Sequence, residues 1–315
     1  MAKPTPVQVA KDTMTTTIIS AAGKLNAQQF NEYVRLVQDK ATFIRDVRMQ
    51  IMKSHTAKIE SLEFGGRITR KATEGVAIAD EERGQLAASK VELIATKIQA
   101  EVGYTYELAQ DSLLQDRNAF NAMVRDRLGE RFALDWDDLV VNGDTANTGD
   151  PLLKSFDGVI KHCETNVIDM TLNEQTVTDD VFYAGYIALP SRYRRDKPSL
   201  RFYCNSDVIT AYNKYLAGRE TSLGDIRTVD GTDRTTWNGI ELFEVSCFPD
   251  GYYLLTSKNN VVVGIYEIIE TYSDEQPSAG VTLFGQRVRT DVKYVEEAAT
   301  VLYKGLSPAS GVVTV

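Results

Sequence analysis

The stretch "DRNAFNAMVRDRLGERFALDWDDLVVNGD", residues 116–144, carries the strongest helical pattern in this chain of 315 residues. Large apolar residues recur there at every fourth position: Phe120, Val124, Leu128, Phe132, Trp136 and Val140. This spacing predicts one helix over 118–141, about 36 Å long at 1.5 Å per residue. The "NGD" at 142–144 is typical of a helix end. Because a step of four residues overshoots the helical turn, the stripe drifts, and its two ends require different packing partners.

The composition is that of an ordinary globular protein, with 43% hydrophobic, 25% charged and 9% aromatic residues. A chain of this length buries enough surface to fold without a metal or a disulfide. Cys163, Cys204 and Cys247 lie about forty residues apart, which fits neither a disulfide framework nor a set of metal ligands. We interpret them as small buried hydrophobes. A net charge of −9 argues against a surface that holds nucleic acid by neutralising phosphates.

The sequence contains no targeting or membrane-spanning signal. No apolar run approaches the roughly 18 residues that a spanning helix needs. The first twenty residues lack the apolar centre of a secretory signal peptide. We therefore expect no membrane association, and we expect the chain to stay in the cytosol where it is made.

Helices and strands are both predicted around the long helix. Helical spacing predicts shorter helices at 25–40, 178–193 and 206–218. Alternating or β-branched runs predict strands at 42–64, 90–108, 199–205, 240–248, 251–257, 260–273 and 281–306. The last run is expected to point four residues inward: Val288, Val292, Tyr294 and Val301. The segment 218–239 has few large apolar residues and is expected to be an exposed loop.

The order of these elements predicts two structural units. Elements before about residue 145 and after about residue 280 are expected to form one unit of sheet and helix. Short helices and strands alternate between them, which favours a compact α/β insertion. Both termini and the long helix then belong to the same body.

The segment "GGRITRKATEGVAIADEERG", residues 65–84, has the pattern of a hairpin that is too polar to join the protein's own core. One arm is basic, a turn follows at 74–75, and the return arm is acidic. These charges could pair across the hairpin itself, where each exposed pair is worth only ~0–1 kcal/mol. They could equally meet complementary charges on another molecule. The residues by themselves favour neither alternative.

Taken together, several segments resemble the tailed-bacteriophage major capsid proteins. In chain order they are an N-terminal arm with a short helix, the polar hairpin, "YELAQDSLLQDRNAF" with the long helix that follows it, "FDGVI" at 156–160, "LPSRYRRDKPSLRFYCNSDVITAYNKYL" at 189–216 and "RTDVKYVEEAATVLYKG" at 289–305. The likeness covers nearly the whole chain.

This resemblance implies an α+β fold, the phage major capsid fold, with five parts. These are an N-terminal arm at 1–42, a peripheral domain with a spine helix at 43–63 and 91–144, an extended hairpin (E-loop) at 64–90, an inserted axial α/β domain at 145–280, and return strands with a C-terminal tail at 281–315. It also implies that the hairpin lies over an adjacent subunit. The inter-subunit contact residues would then be Arg67, Arg70, Lys71, Glu74, Asp80, Glu81, Glu82 and Arg83.

Features that could carry catalysis are weak. The sequence contains no GxSxG, HExxH, Walker or GxGxxG motif. A catalytic pair of Cys163 or Cys204 with His55 or His162 would depend on unknown proximity, so a structural role is favoured. "DDL" at 137–139 and "DGTD" at 230–233 are interpreted as capping or solvated acids, and "YRRDK" at 193–197 as a solvated helix end. We therefore predict no catalytic, cofactor-binding or metal-binding residues, and no enzymatic activity.

The resemblance predicts a major capsid protein of a tailed bacteriophage with double-stranded DNA. Such a chain self-assembles through pentamers and hexamers into an icosahedral shell that encloses the genome without sequence-specific binding. Scaffolding and portal proteins are the expected partners, with scaffolding either supplied by a separate protein or dispensable. The expected location is the virion capsid, after assembly in the host cytoplasm. The alternatives are an encapsulin-like bacterial compartment and, further away, a soluble α/β enzyme.

Overall fold

The computed structural model describes residues 13–14, 42–64, 69, 86–111, 117–218 and 235–307. The α-helices in these ranges are α1 (Phe43–Asp46), α2 (Tyr106–Gln110), α3 (Arg117–Asn142), α4 (Asp179–Ala188) and α5 (Ser206–Ala217). Short 3-10 helices lie at Lys197–Ser199 and Glu297–Ala299. The predicted helix at 25–40 and the loop residues 219–234 lie outside the described residues. None of the described helices is long and apolar enough to cross a membrane.

Strands make up most of the remaining described chain. They are β1 (Thr13–Met14), β2 (Arg48–Ile51), β3 (Thr56–Phe64), β4 (Leu86–Ile94), β5 (Thr96–Thr105), β6 (Val167–Asp169), β7 (Gln175–Thr176), β8 (Leu200–Cys204), β9 (Thr236–Trp237), β10 (Ile240–Glu244), β11 (Tyr252–Ser257), β12 (Val261–Gln276), β13 (Val281–Tyr294), β14 (Val301–Lys304) and β15 (Leu306–Ser307). They form two large sheets and two pairs, so the fold is α+β, as predicted.

The first large sheet has the order β1-β5-β13-β12-β2. β13 pairs antiparallel with β5 and with β12, and β1 and β2 join the outer sides in parallel. The long helix α3 lies on one face of this five-stranded sheet. There Val288 and Val292 of β13 share a core with Phe132, Trp136 and Val140.

The predicted helix at 118–141 is confirmed as Arg117–Asn142, and its drifting stripe has two sets of partners. The N-terminal half of the stripe packs in one cluster with Tyr104, Leu108 and Phe284. The C-terminal half packs in another cluster with Phe43, Phe248 and Leu254. The 40° drift per step of four residues is the reason, because no single flat surface can follow it.

The second large sheet has the order β6-β14-β11-β8-β10-β9. Helices α4 and α5 contribute to its core, which is rich in aromatic rings. Phe182 of α4 contacts the rings of Phe202, Tyr212, Trp237 and Tyr253 at centroid distances of 4.9–6.4 Å.

The four positions predicted to point inward, Val288, Val292, Tyr294 and Val301, are all buried.

Strand pairing distributes the C-terminal strands between the two sheets. β12, at 261–276, pairs with β13 in the five-stranded sheet. β14, at 301–304, pairs with β11 in the six-stranded sheet. The chain therefore crosses between the sheets after residue 257 and again after residue 294. The limits of the five predicted parts stay a prediction.

The segment predicted as a strand at 42–64 begins differently. Phe43–Asp46 form one helical turn before β2 and β3 start. The local sequence alternates as a strand does. The Phe43 backbone amide, however, donates a hydrogen bond to the side chain of Asp137, 94 residues away, which favours the helical turn. This part of the strand prediction is wrong, and the cause is a long-range contact.

Candidate assembly junctions

The predicted arm and the predicted hairpin each join the body at a short junction that the structure describes. The arm junction is α1 with the residue before it, Thr42. The hairpin junction is the end of β4 with the start of β3. Both junctions are built around a buried carboxylate.

Asp137 of α3 organises the arm junction. Its carboxylate accepts backbone N–H bonds from Thr42 at 2.9 Å, Phe43 at 3.1 Å and Ile44 at 2.9 Å. The first turn of a helix has N–H groups without intrahelical partners, so Asp137 caps α1 from another helix. Asp137 is only 2% exposed. Burial raises the pKa of its carboxyl, and the three amides oppose that rise.

The arm junction also contacts the six-stranded sheet. Phe43 packs edge-on against Tyr203 of β8, with ring centroids 5.0 Å apart. The Tyr203 hydroxyl donates to Asp46 at 2.8 Å. Arg201 bridges the carboxylates of Asp46, at 3.2 Å, and Glu241, at 3.0 Å. α1 therefore connects the long helix to the second sheet.

The hairpin junction is formed where β3 and β4 meet the body. These strands are antiparallel from Thr56, opposite Ile94, to Phe64, opposite Leu86. At the base of this strand pair, Leu93 of β4 is fully buried and lies in one cluster with Met52, Ala95 and Val262. The Ala95 amide donates to the His55 carbonyl at 3.0 Å, which closes the base of the pair.

Asp291 of β13 holds this second junction. Its carboxylate accepts the Ile94 amide at 2.8 Å and the Val292 amide at 2.8 Å. Asp291 is 4% exposed. Burial raises the pKa of its carboxyl, whereas the Ile94 amide and the charge of Lys293 act in the opposite direction.

The two junctions lie on opposite faces of the five-stranded sheet. Successive side chains of a strand point to opposite faces. Val292 faces α3, so its neighbour Asp291 points to the other face. Phe43 and Ile44 belong to the α3-side cluster, whereas Leu93 and Ala95 belong to the cluster on the far side.

The eight predicted contact residues lie between β3 and β4, at 67–83, outside the described residues. The structure therefore gives their flanking strands and not their positions. Asp137 was interpreted from sequence as a capping or solvated acid near a helix end; it is instead buried, and it caps a distant helix, α1. Its signal is an acid directly after Trp136 within a buried stripe, where charged residues are rare. Asp291 was missed, since a single acid in an alternating strand has no distinctive pattern.

The groups considered for catalysis have structural surroundings. His162 Nε2 lies 3.0 Å from Lys293 Nζ. Burial, together with the Lys293 charge, lowers the pKa of His162. Cys163 and Cys204 are buried in the two main cores and Cys247 is partly buried. Burial raises the pKa of the Cys163 thiol to about 12, which disfavours the nucleophilic thiolate.

The basic "YRRDK" motif follows the end of α4. Arg194, in the basic "YRRDK" motif, donates to the Leu189 and Ile187 carbonyls at the end of α4, each at 2.5 Å. This confirms the helix-end interpretation for Arg194. The "DGTD" motif at 230–233 lies outside the described residues. Among the residues that are described, no cluster of three or more His, Cys, Asp or Glu could hold a metal.

The glycines of "NGD" and "FDGVI" meet directly. The Gly158 amide donates to the Gly143 carbonyl at 2.8 Å, and the next residue, Val159, continues the contact to Val140. A Cβ on Gly158 would lie 2.6–2.8 Å from backbone atoms of three residues. The two motifs quoted for the family resemblance therefore form one close backbone contact at the end of α3.

Comparison with known proteins agrees with this architecture. The phage capsid family matches residues 30–218. A prophage capsid protein, YqbE of Bacillus subtilis (strain 168), is 32% identical over 223 residues, which are 71% of this chain and 70% of the relative.

Three solved structures share the fold. The capsid of a native GTA particle has a TM-score of 0.66 at 13% identity, covering 86% of this chain and 92% of that one. The satellite phage P4 procapsid has a TM-score of 0.64 at 15% identity, covering 92% and 95%. The SrpI encapsulin of Synechococcus elongatus PCC 7942 has a TM-score of 0.58 at 11% identity, covering 98% of both chains. The chain belongs to the phage capsid family.

Proposed function

We propose that this chain is the major capsid protein of a tailed bacteriophage, building an icosahedral shell from pentamers and hexamers around double-stranded DNA. The observation that carries the proposal is membership of the phage capsid family, over the part of the chain that holds the spine helix and the hairpin strands. Scaffolding and portal proteins are the proposed partners. The proposed location is the virion capsid, reached by assembly in the host cytoplasm.

The proposed division of labour follows the predicted five parts. The arm at 1–42, apart from Thr13–Met14, which pair with β5 of the same chain, and the hairpin at 64–90 reach neighbouring subunits. The part at 145–280 packs around the ring axes. Strand pairing favours one adjustment: β12 belongs with the peripheral part and β14 with the axial part. The two junctions on opposite faces of one sheet support contacts with different neighbours.

Assembly then depends on many weak contacts. Each contact is reversible, so that misplaced subunits leave, and the closed shell is stable because the contacts act together. In the hairpin the basic residues of one arm and the acidic residues of the other select complementary surfaces on the adjacent subunit. The net charge of −9 suits a container that must not bind its DNA too tightly.

The first test removes the hairpin. We expect deletion of residues 66–83 to leave a folded subunit, because the described cores lie outside this segment. We expect that subunit to form no stable shells in negative-stain electron microscopy. The full-length chain, expressed in parallel, is the control and should form shells. Normal shells from the deletion variant would contradict the role given to the hairpin.

A second test separates contact with a neighbour from pairing within the hairpin. One variant reverses the basic arm (Arg67→Glu, Arg70→Glu, Lys71→Glu), and a second also reverses the acidic arm (Asp80→Lys, Glu81→Lys, Glu82→Lys). Pairing within the hairpin predicts that the combined variant recovers assembly, because opposite charges still face each other. Contact with a neighbour predicts that neither variant assembles. Recovery in the combined variant would therefore reject the contact.

The second candidate function is an encapsulin-like compartment, which the likeness to the SrpI encapsulin favours. The contents of particles from the native host distinguish the two. A phage capsid encloses DNA that resists added nuclease, whereas a compartment of the second kind would contain protein cargo. If the purified chain stays a compact monomer under all assembly conditions, the alternative of a soluble α/β enzyme is favoured.

A further inference from the structure

We propose that Asp137 and Asp291 are positioning residues for assembly, each fixing the direction in which one extension leaves the body. Asp137 would set the arm and Asp291 the hairpin. This inference rests on the proposed function, because it concerns segments proposed to reach neighbouring subunits.

Both carboxylates are buried at a desolvation cost that packing does not explain. An apolar side chain would fill either site without the desolvation that a charge requires. Each carboxylate instead accepts backbone N–H hydrogen bonding from a segment far away in the chain. Asp137 binds three consecutive amides from 93 to 95 residues away, and Asp291 binds an amide 197 residues away.

These amides lie where the arm and the hairpin join the body. Thr42, Phe43 and Ile44 form the last stretch before the body on the arm side. Ile94 is the final residue of β4, the returning strand of the hairpin. A hydrogen bond from a backbone amide to a fixed carboxylate orients the peptide plane. Each such hydrogen bond therefore sets the chain direction where the segment joins the body. Two oxygens binding three amides at Asp137 leave little freedom to rotate.

The hairpin strands act as a lever on the direction that is set at the junction. β3 has 9 residues, so it spans about 30 Å at roughly 3.3 Å per residue. A rotation of about 10° at the junction would move its far end by about 5 Å, whereas packed atoms tolerate a gap of only about 0.5–1 Å. A small loss of order at Asp291 is therefore sufficient to misplace a contact at the other end.

If these directions are fixed before subunits meet, less conformational entropy is lost on association. Loosened junctions would leave the subunit folded and still able to touch its neighbours. The contacts would form in more than one geometry, so the shells would close poorly. The proposal thus separates the fidelity of assembly from the stability of the fold.

The test uses Asp137→Asn and Asp291→Asn in the full-length chain. Asparagine has the size of aspartate, but its NH2 group cannot accept an amide hydrogen. Asp135→Asn is the matched control on α3, since Asp135 pairs with Arg131 at the surface. Asp274→Asn is the control in the sheet, where Asp274 is exposed and contacts Gln276. Leu139→Ala, which removes a fully buried side chain of α3, is the control for general destabilisation.

Two measurements are compared: amide hydrogen exchange in the unassembled subunit, and the size distribution of shells by electron microscopy. We expect Asp137→Asn to speed exchange at residues 42–44 by at least about tenfold, while exchange along α3 is unchanged. We expect Asp291→Asn to do the same at Ile94. Both variants should give irregular or incomplete shells, whereas the two surface controls and Leu139→Ala should give regular shells in proportion to the folded protein present.

Several outcomes would overturn the proposal. Faster exchange at a junction with shells like those of the wild type would show that direction at the junction does not matter. Unchanged exchange would show that the carboxylates do not hold the junctions. If both variants fail to fold, Asp137 and Asp291 serve to stabilise the core and not to direct the extensions. If the wild type itself forms no shells, the proposed function fails first, and the inference falls with it.

Discussion

The two large sheets each carry a helix that approaches through a glycine, and the two contacts differ. On the six-stranded sheet, Gly185 of α4 lies over the ring of Tyr253, and an added Cβ would come within 2.2 Å of its oxygen. On the five-stranded sheet, Gly129 of α3 lies over the side-chain amide of Gln286, and an added Cβ would be 3.3 Å away. The first neighbour is a fully buried ring and the second is the end of a flexible chain.

This difference reflects how each core is filled. Aromatic rings in mutual contact fill the core beneath α4, with Phe182 at their centre. The face beneath α3 mixes valines with polar residues, including Gln286 and Thr290. Rigid rings accept little change of shape, whereas a glutamine can move its amide. The six-stranded sheet should therefore respond to substitution more strongly than the five-stranded sheet.

The largest effect is expected for Phe182→Ala. Phe182 is 0% exposed, so its removal leaves a cavity among four rings. The free energy of unfolding should fall by about 3–5 kcal/mol. Urea unfolding followed by circular dichroism measures this. Tyr183→Ala, at the next position of the same helix but 58% exposed, should change the free energy by less than about 0.5 kcal/mol.

Gly185→Ala should lower the free energy of unfolding by about 1–3 kcal/mol, because the new methyl group collides with Tyr253. The ring cannot move away freely, since its hydroxyl donates to the Val181 carbonyl at 2.8 Å. The double variant Gly185→Ala, Tyr253→Phe lacks the nearest oxygen. A double-mutant cycle from urea unfolding should show part of the loss recovered, and full additivity of the two changes would argue against the collision.

A pH-dependent effect is expected near the C-terminal end of β13, where the His162 ring lies beside the Lys293 ammonium group. The pKa of His162 is lowered in the folded state, so the unfolded chain binds its proton first as pH falls. Stability should therefore decrease as pH drops below about 6.5. Asp157 and Glu164 oppose this shift but do not reverse it.

Urea midpoints at pH 7.5 and pH 5.0 measure the contribution of His162. His162→Gln should lose less stability between these values than the wild type does. His55→Gln, at an exposed position, is the control and should follow the wild type. An equal pH dependence in the wild type and His162→Gln would contradict the assignment to His162.

Gly129→Ala should have the smallest effect, with the opposite sign. Alanine in a helix interior is favoured over glycine by about 0.5–1 kcal/mol. The Gln286 amide must shift by a few tenths of an ångström, which costs part of that gain. A thermal melt should show a small increase in stability. A clear decrease would mean that the polar face beneath α3 is as rigid as the aromatic core beneath α4.

Much of the fold follows from local patterns. The long helix was predicted within one residue at each end, and the need for two sets of partners followed from its repeat of four. Strand-like runs bounded by turn signals predicted β8, β10, β11, β12 and β13, because both features are local in the sequence. α1 was not predicted, since one helical turn has too few residues for a period.

The assembly junctions show the same limit. An acid within the buried stripe of α3 was visible, but the amides that it binds could not be identified from their positions 93–95 residues earlier. The distribution of β12 and β14 between the sheets was also unpredictable. The local sequence of either strand fits both sheets, and only the strand pairing distinguishes them.

The sequence by itself determined the type of most elements, the long helix, the likeness to capsid proteins and the polarity of the hairpin. These properties depend on side chains close together in the chain, where period and composition are direct evidence. Only the tertiary structure decided which strands share a sheet, that the two junctions lie on opposite faces, and which amides Asp137 and Asp291 bind. Those properties depend on contacts between distant segments, whose free energy is gained only when the whole chain has folded.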